Sequence, residues 1–166
     1  MGKLQRKPNR IPEYDYSQVG AYFVTICTSD MSHLFGKIVG AAVPGRPHTV
    51  LSNTGKIIEN AINYYNENLN GISFDVFVIM PNHIHAIISI NHEEAPAGGR
   101  GRPPLQRVVG NLKAFVSKQV GFSPWQKGFH DHIIRNDRAY QKIWEYIENN
   151  PYTWVEDRYY SKEETP

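Results

Sequence analysis

The chain has 166 residues, of which 40% are hydrophobic and 12% aromatic, enough apolar material for one domain with a true core. A formal net charge of +2 and a pI near 8.6 are too weakly basic to establish a nucleic-acid partner, unless the charges cluster. Cys27 is the only cysteine, which excludes an intramolecular disulfide and a thiolate metal cluster and points to a reducing cytosol, and no apolar run approaches the roughly 18 residues of a membrane helix.

The amino end carries Lys3, Arg6, Lys7 and Arg10 among prolines, without the apolar segment of a secretory signal, so residues 1–18 read as a basic arm on a soluble, cytoplasmic protein. Ala21 to Thr28 is dense in β-branched and aromatic residues and predicts a first strand. A short extended piece follows at Leu34 to Val39, and Gly40 to Val50, with two prolines and two glycines, predicts a loop. Ser52 or Asn53 then caps a helix to about Asn66, whose apolar residues Ile57, Ile58, Ala61, Ile62 and Tyr65 recur at three and four. Ile72 to Met80 and His83 to Ile90 predict two covered strands joined at Pro81-Asn82. Residues 92–104 form a flexible Gly, Pro and Arg linker inside the single domain, and a second helix spans Leu105 to about Val120 with the stripe Leu105, Val108, Val109, Leu112 and Val116. Trp125 to Arg135 predicts another strand, and Asn136 or Asp137 caps a last helix that Pro151 ends. The order strand, helix, strand, strand, helix, strand implies an α+β, ferredoxin-like sandwich: a central antiparallel sheet, helices on one face, and an appended C-terminal helix carrying Tyr146.

Two residues apart on a strand, His83 and His85 share one face, and Ile84, Ala86, Ile88 and Ile90 share the other. Two imidazoles on one face make half of a metal site. His130 and His132 have the same spacing, but charged Asp131 between them argues against a core-facing reverse side, so this pair ranks lower for metal and His132 is expected only to line the site. In the last helix Tyr140, Ile143, Trp144 and Ile147 form the core stripe. Tyr146 stands on the flank with Lys142 and Asn150, four residues away on either side, so one helix face offers a nucleophile and a third ligand. Each of these features alone also fits ordinary surface or boundary residues.

Taken together, Val78 to His85, Trp125 to Asn136 and Tyr146-Ile147-Glu148-Asn149-Asn150-Pro151 resemble the single-tyrosine HUH transposases, most of all the branch called REP-associated tyrosine transposases. Tyr14-Asp15-Tyr16-Ser17 and Tyr22-Phe23-Val24-Thr25 match as well, so the resemblance covers about residues 10 to 160. It implies that His83 and His85 are the HUH histidines, that Tyr146 is the nucleophile, and that Asn150 takes the place of the third ligand. Asn149 leaves that assignment open by one residue, though only Asn150 keeps the four-residue spacing from Tyr146. It further implies a single-stranded DNA substrate with a hairpin, such as a repetitive palindromic element, a 5′-phosphotyrosine intermediate, and action as a monomer or homodimer. Mg²⁺ is the expected ion, with Mn²⁺ the alternative that suits imidazole better. Two neutral imidazoles and an amide, with no carboxylate among them, would leave the ion nearly its full charge for the scissile phosphate. Tyrosine has a pKa near 10, so only about one in a thousand is phenolate at neutral pH and the site must manage the proton. DNA contacts are expected from Arg10 and the arm, from Arg107, Lys113 and Lys118, and from Lys142 beside the tyrosine. Arg100-Gly101-Arg102-Pro103 resembles an AT-hook core, but four residues are little evidence and a disordered loop is the favoured reading. Two other readings compete with strand transfer: a domesticated hairpin-binding protein that does not cut, and a metal phosphodiesterase in which water attacks and Tyr146 is structural.

Overall fold

A computed structural model describes residues 20–40, 46–91 and 105–162. The basic arm with Arg10, the linker at 92–104 and the AT-hook-like tetrapeptide lie outside the described residues. In chain order the elements are strands β1 (Gly20–Cys27), β2 (Gly36–Val39) and β3 (His48–Leu51), helix α1 (Asn53–Asn68), strands β4 (Ile72–Ile79) and β5 (His83–Ile90), helix α2 (Leu105–Val120), strand β6 (His130–Ile134) and helix α3 (Asp137–Asn149), followed by a 3-10 turn at Trp154–Glu156.

Four strands form one antiparallel sheet in the order β4-β5-β1-β6, which with α1 and α2 in the connections is the ferredoxin-like topology expected from the sequence. Strand alternation sorts the side chains into two layers. Tyr22, Val24 and Ile26 of β1 and Ile84, Ala86, Ile88 and Ile90 of β5 face α1 and α2, where Ile58, Ile62, Leu105, Val109, Leu112 and Val116 complete the main core. The other face carries Phe23, Ile87 and Ile134, and α3 covers it through Ile143, Trp144 and Ile147. Two helices therefore share one face and the tyrosine helix is appended to the other. Among the described residues no helix is long and apolar enough to cross a membrane.

Local chemistry explains the boundaries. Ser52 caps α1 by accepting from the Gly55 amide at 3.1 Å, and Asn136 caps α3 by accepting from the Ala139 amide at 2.8 Å. A bulge between Phe74 and Val76 turns Asp75 toward α3, where it accepts hydrogen bonds from Tyr140 at 2.9 Å and from the Ser73 and Ser89 hydroxyls. Tyr140 thus has the structural role its place in the stripe suggested, tying the first half of α3 to the sheet. Two elements depart from the sequence reading. Residues expected as loop up to Val50 include β3, which pairs antiparallel with β2 from Gly36↔Leu51 to Val39↔His48, because His48-Thr49-Val50 is strand-competent once Pro47 is passed. The strand expected over Trp125 to Arg135 is confined to β6, with a lone bridge Thr28↔Trp125, since Gly128 at φ 79° breaks the extended run.

Candidate metal and nucleophile site

Pairing of β1 with β5 sets Thr25 opposite His85 and Cys27 opposite His83, placing both imidazoles on the α3 side of the sheet. Their ring centroids are 4.4 Å apart. Both are buried, roofed by Phe23, Trp154 and Tyr159. Burial, with the neighbouring His85, pushes His83 down to about 3, and burial likewise lowers His85, so both are neutral at physiological pH and have lone pairs to offer.

The tautomer of His83 follows from its partner. Asn82 Nδ2 donates to the Met31 and Tyr159 carbonyls at 3.2 and 2.9 Å, which fixes the amide so that Oδ1 faces His83 Nδ1 at 2.8 Å. An oxygen acceptor there requires the proton on Nδ1. His83 Nε2 therefore carries a lone pair, and it is buried with no hydrogen-bond partner. His85 is held on Thr25 Oγ1 by Nδ1 at 2.8 Å, and its Nε2 faces the same space. His83 has the backing that metal-binding histidines need, one ring nitrogen fixed and the other free, while His85 is fixed through Nδ1 and turns its Nε2 to the same space.

Helix α3 delivers the other half. Tyr146 is 40% exposed, with its hydroxyl 3.3 Å from His85 Nε2. Asn150, one turn on at the helix end, is fully buried, and its Oδ1 is a second orphaned polar atom. A buried polar atom without a partner costs about 1–3 kcal/mol, so two such atoms in one site point to something they are meant to bind.

The sequence reading missed Asp157. Its Oδ2 accepts from Asn150 Nδ2 at 2.6 Å and from the Tyr146 hydroxyl at 3.1 Å, and lies 3.9 Å from His85 Nε2. Its Oδ1 accepts from the Tyr159 amide at 2.7 Å. Burial alone would raise this carboxyl, but the neighbouring His85 and the hydrogen bonds from Asn150 and the Tyr159 amide more than offset it and hold the group well below the usual carboxylate range. The same carboxylate, after burial, pushes the Tyr146 phenol up. Ligand atoms of His83, His85 and Asp157 lie within 4.8 Å of one another, a group that can hold a metal ion. The expected absence of a carboxylate is therefore corrected: Asp157 stands in the centre of the site. Two nitrogens with carboxylate and amide oxygens form a donor set suited to Mn²⁺ and acceptable to Mg²⁺. The only advance sign of Asp157 was its chemistry, since it follows Pro151 and a 3-10 turn where no periodicity applies.

The structure thus brings Tyr146, His83, His85 and Asn150 together, with Lys142 exposed on the same helix. It separates the basic residues expected on α2 from them. Arg107 and Lys118 are exposed on α2, across the sheet. Lys113 is turned inward, donating to the carbonyls of Gln126 at 2.9 Å and Gly128, and burial pushes it down to about 8. His130 and His132 lie exposed on the α3 face of edge strand β6, opposite Thr25 and Phe23.

No protein-family model matches the chain. An uncharacterized protein of Haemophilus influenzae is 31% identical over 180 aligned positions, which cover 96% of this chain and 95% of that one. Among solved structures, a REP-associated tyrosine transposase bound to a REP hairpin matches with a TM-score of 0.55 at 19% identity, over 96% of this chain and 76% of its own.

Proposed function

We infer a transposase-type function from two premises: the chain belongs to the family of the Haemophilus influenzae protein, and it has the fold of a REP-associated tyrosine transposase. The reaction proposed is metal-dependent nicking and rejoining of single-stranded DNA at hairpin-bearing repeats. The observation that carries it is the position of the Tyr146 hydroxyl, 3.3 Å from His85 Nε2 and 3.1 Å from Asp157 Oδ2, beside the orphaned His83 Nε2 and Asn150 Oδ1. The hairpin substrate rests on the likeness to a protein that binds one.

A divalent ion, Mg²⁺ or Mn²⁺, held by His83, His85 and Asp157 with Asn150 as a further ligand, would supply positive charge for the non-bridging oxygens of the scissile phosphate. The chain does the rest. Tyr146 forms the Oη–P bond as the P–O3′ bond breaks; Oη gives up its proton and the departing O3′ takes one up, leaving the DNA 5′ end on the tyrosine and a free 3′ hydroxyl with no net change in protons. The phosphodiester energy is kept in the phosphotyrosine, so the same site can rejoin the strand. Asp157 accepts the hydrogen bond from the phenol and aims the oxygen lone pairs away from itself. Every group comes from a single chain, so no exchange of tyrosine helices between copies is required.

A hairpin-binding protein that does not cut is the second reading, and the raised Tyr146 phenol is the observation on its side. The test incubates an end-labelled hairpin oligonucleotide with Mn²⁺ and either the wild type or Tyr146→Phe. Strand transfer predicts a covalent protein–DNA adduct that the variant cannot form. Binding without cleavage selects the second reading, and cleavage that survives in the variant means that water attacks.

A further inference from the structure

Beside the site a cleft of about 200 Å³ opens between β1, β6 and the C-terminal segment, lined by Phe23, Thr25, His130, His132, Arg158 and Tyr159. Three of these residues are also walls of the metal site. Phe23 lies 5.2 Å from the His85 ring and 6.0 Å, edge-on, from Tyr146. Thr25 holds His85, and the Tyr159 ring lies tilted 4.9 Å from that of His83. Anything seated in the cleft therefore touches the rings that touch the nucleophile.

The lining has a definite chemistry. Arg158 is exposed and always charged, with its guanidinium 5.1 Å above the Tyr159 ring, which leaves its planar fork presented at the rim. His130 and His132 project from β6, the last strand of the sheet among the described residues, on the same side, offering two more rings. Asp131, between them, is the one acidic residue lining the cleft among the described residues. The volume is below the roughly 300–1,000 Å³ of sites for whole drug-sized ligands, and fits a single planar group. Rings for stacking, a fork for a phosphate and room for one base are the parts from which single-stranded nucleic-acid sites are made.

We propose that this cleft seats the unpaired nucleotide next to the scissile phosphate, its base against Phe23 and the β6 histidines and its phosphate on Arg158. The inference rests on the proposed reaction for the word scissile, but the binding itself can be read without cutting. In that role Arg158 and His132 are positioning residues for the strand, set by contacts that need no particular base sequence.

The probe is an oligothymidine with one internal 2-aminopurine, titrated into the Tyr146→Phe protein so that nothing is cut. Stacking in the cleft predicts quenching of the 2-aminopurine. Arg158→Ala and His132→Ala are each expected to weaken binding about tenfold, with Mn²⁺ affinity unchanged. Phe23→Leu, which keeps the apolar volume, should bind with most of the quenching gone. Absence of quenching by the parent protein, or full affinity and quenching in all three variants, would overturn the proposal. The outcomes separate from those of the cutting reaction. Quenching without any covalent adduct in the wild type sustains the cleft and ends the strand-transfer reading, and an adduct with unaffected variants does the reverse.

Discussion

The two faces of the sheet are built from the same strands and differ in what they leave unfinished. On the α1 and α2 side, residues of alternate parity close a core in which Ile58, Ile62, Ile88, Leu112 and Val116 are all fully buried. On the α3 side the apolar cluster is small, and its upper end gives way to His83, His85, Asn150 and Asp157, equally buried or nearly so but with two polar atoms unpartnered. One face holds the fold; the other spends burial on aiming polar groups. The difference is what a functional site looks like when the strand period assigns each residue to a layer.

Substitutions on the two faces should therefore fail in different ways. His83→Ala is expected to abolish Mn²⁺ binding and DNA cleavage together while leaving a folded protein, as read by calorimetric titration and far-UV circular dichroism. Loss of cleavage with unaltered metal affinity would separate the histidine from the ion. Asn82→Ala tests the support behind that histidine: with the His83 tautomer no longer fixed, metal affinity should fall about 10–100-fold. Leu112→Ala, on the closed face, should cost about 2–5 kcal/mol in urea denaturation and leave metal affinity per folded molecule as it was. A drop in metal affinity matching that loss of stability would mean that the two faces are not separable. The smallest effect concerns Cys27, buried opposite His83 and pushed up to about 11 by burial. Because the thiolate is the reactive form and is withheld below that pH, iodoacetamide should label the native protein slowly at pH 9 and rapidly only above about pH 11 or in urea.

How much of this could be read from the chain depends on whether a residue lies inside a periodic element. His83 and His85 sit in a strand with Ile84, Ala86, Ile88 and Ile90 as an internal ruler, so their shared face followed from parity. Tyr146 sits in a helix whose stripe fixes the flanks and Asn150 caps its end one turn on, and both hydrogen-bond to Asp157 Oδ2 from the same side. Asp157 lies beyond that helix, past Pro151 and a 3-10 turn, and only the folded chain brings its carboxylate back over His85. Lys113 shows the converse limit. Its position on α2 was legible, but its inward direction depends on the Gln126 and Gly128 carbonyls of a loop that the helix pattern does not describe. Strand β3 was hidden for a simpler reason, since four residues after a Pro and Gly cluster carry too little alternation to stand out.

The account turns on one oxygen, that of Tyr146, being the atom that reaches phosphorus. Its most direct measurement is mass spectrometry of the tryptic peptides after wild-type protein has been quenched during reaction with hairpin DNA and Mn²⁺ and the DNA trimmed by nuclease. The prediction is a nucleotide-5′-phosphate attached to the peptide that contains Tyr146 and to no other. Attachment at Tyr159 or another tyrosine, or cleaved DNA with every peptide unmodified, would contradict it.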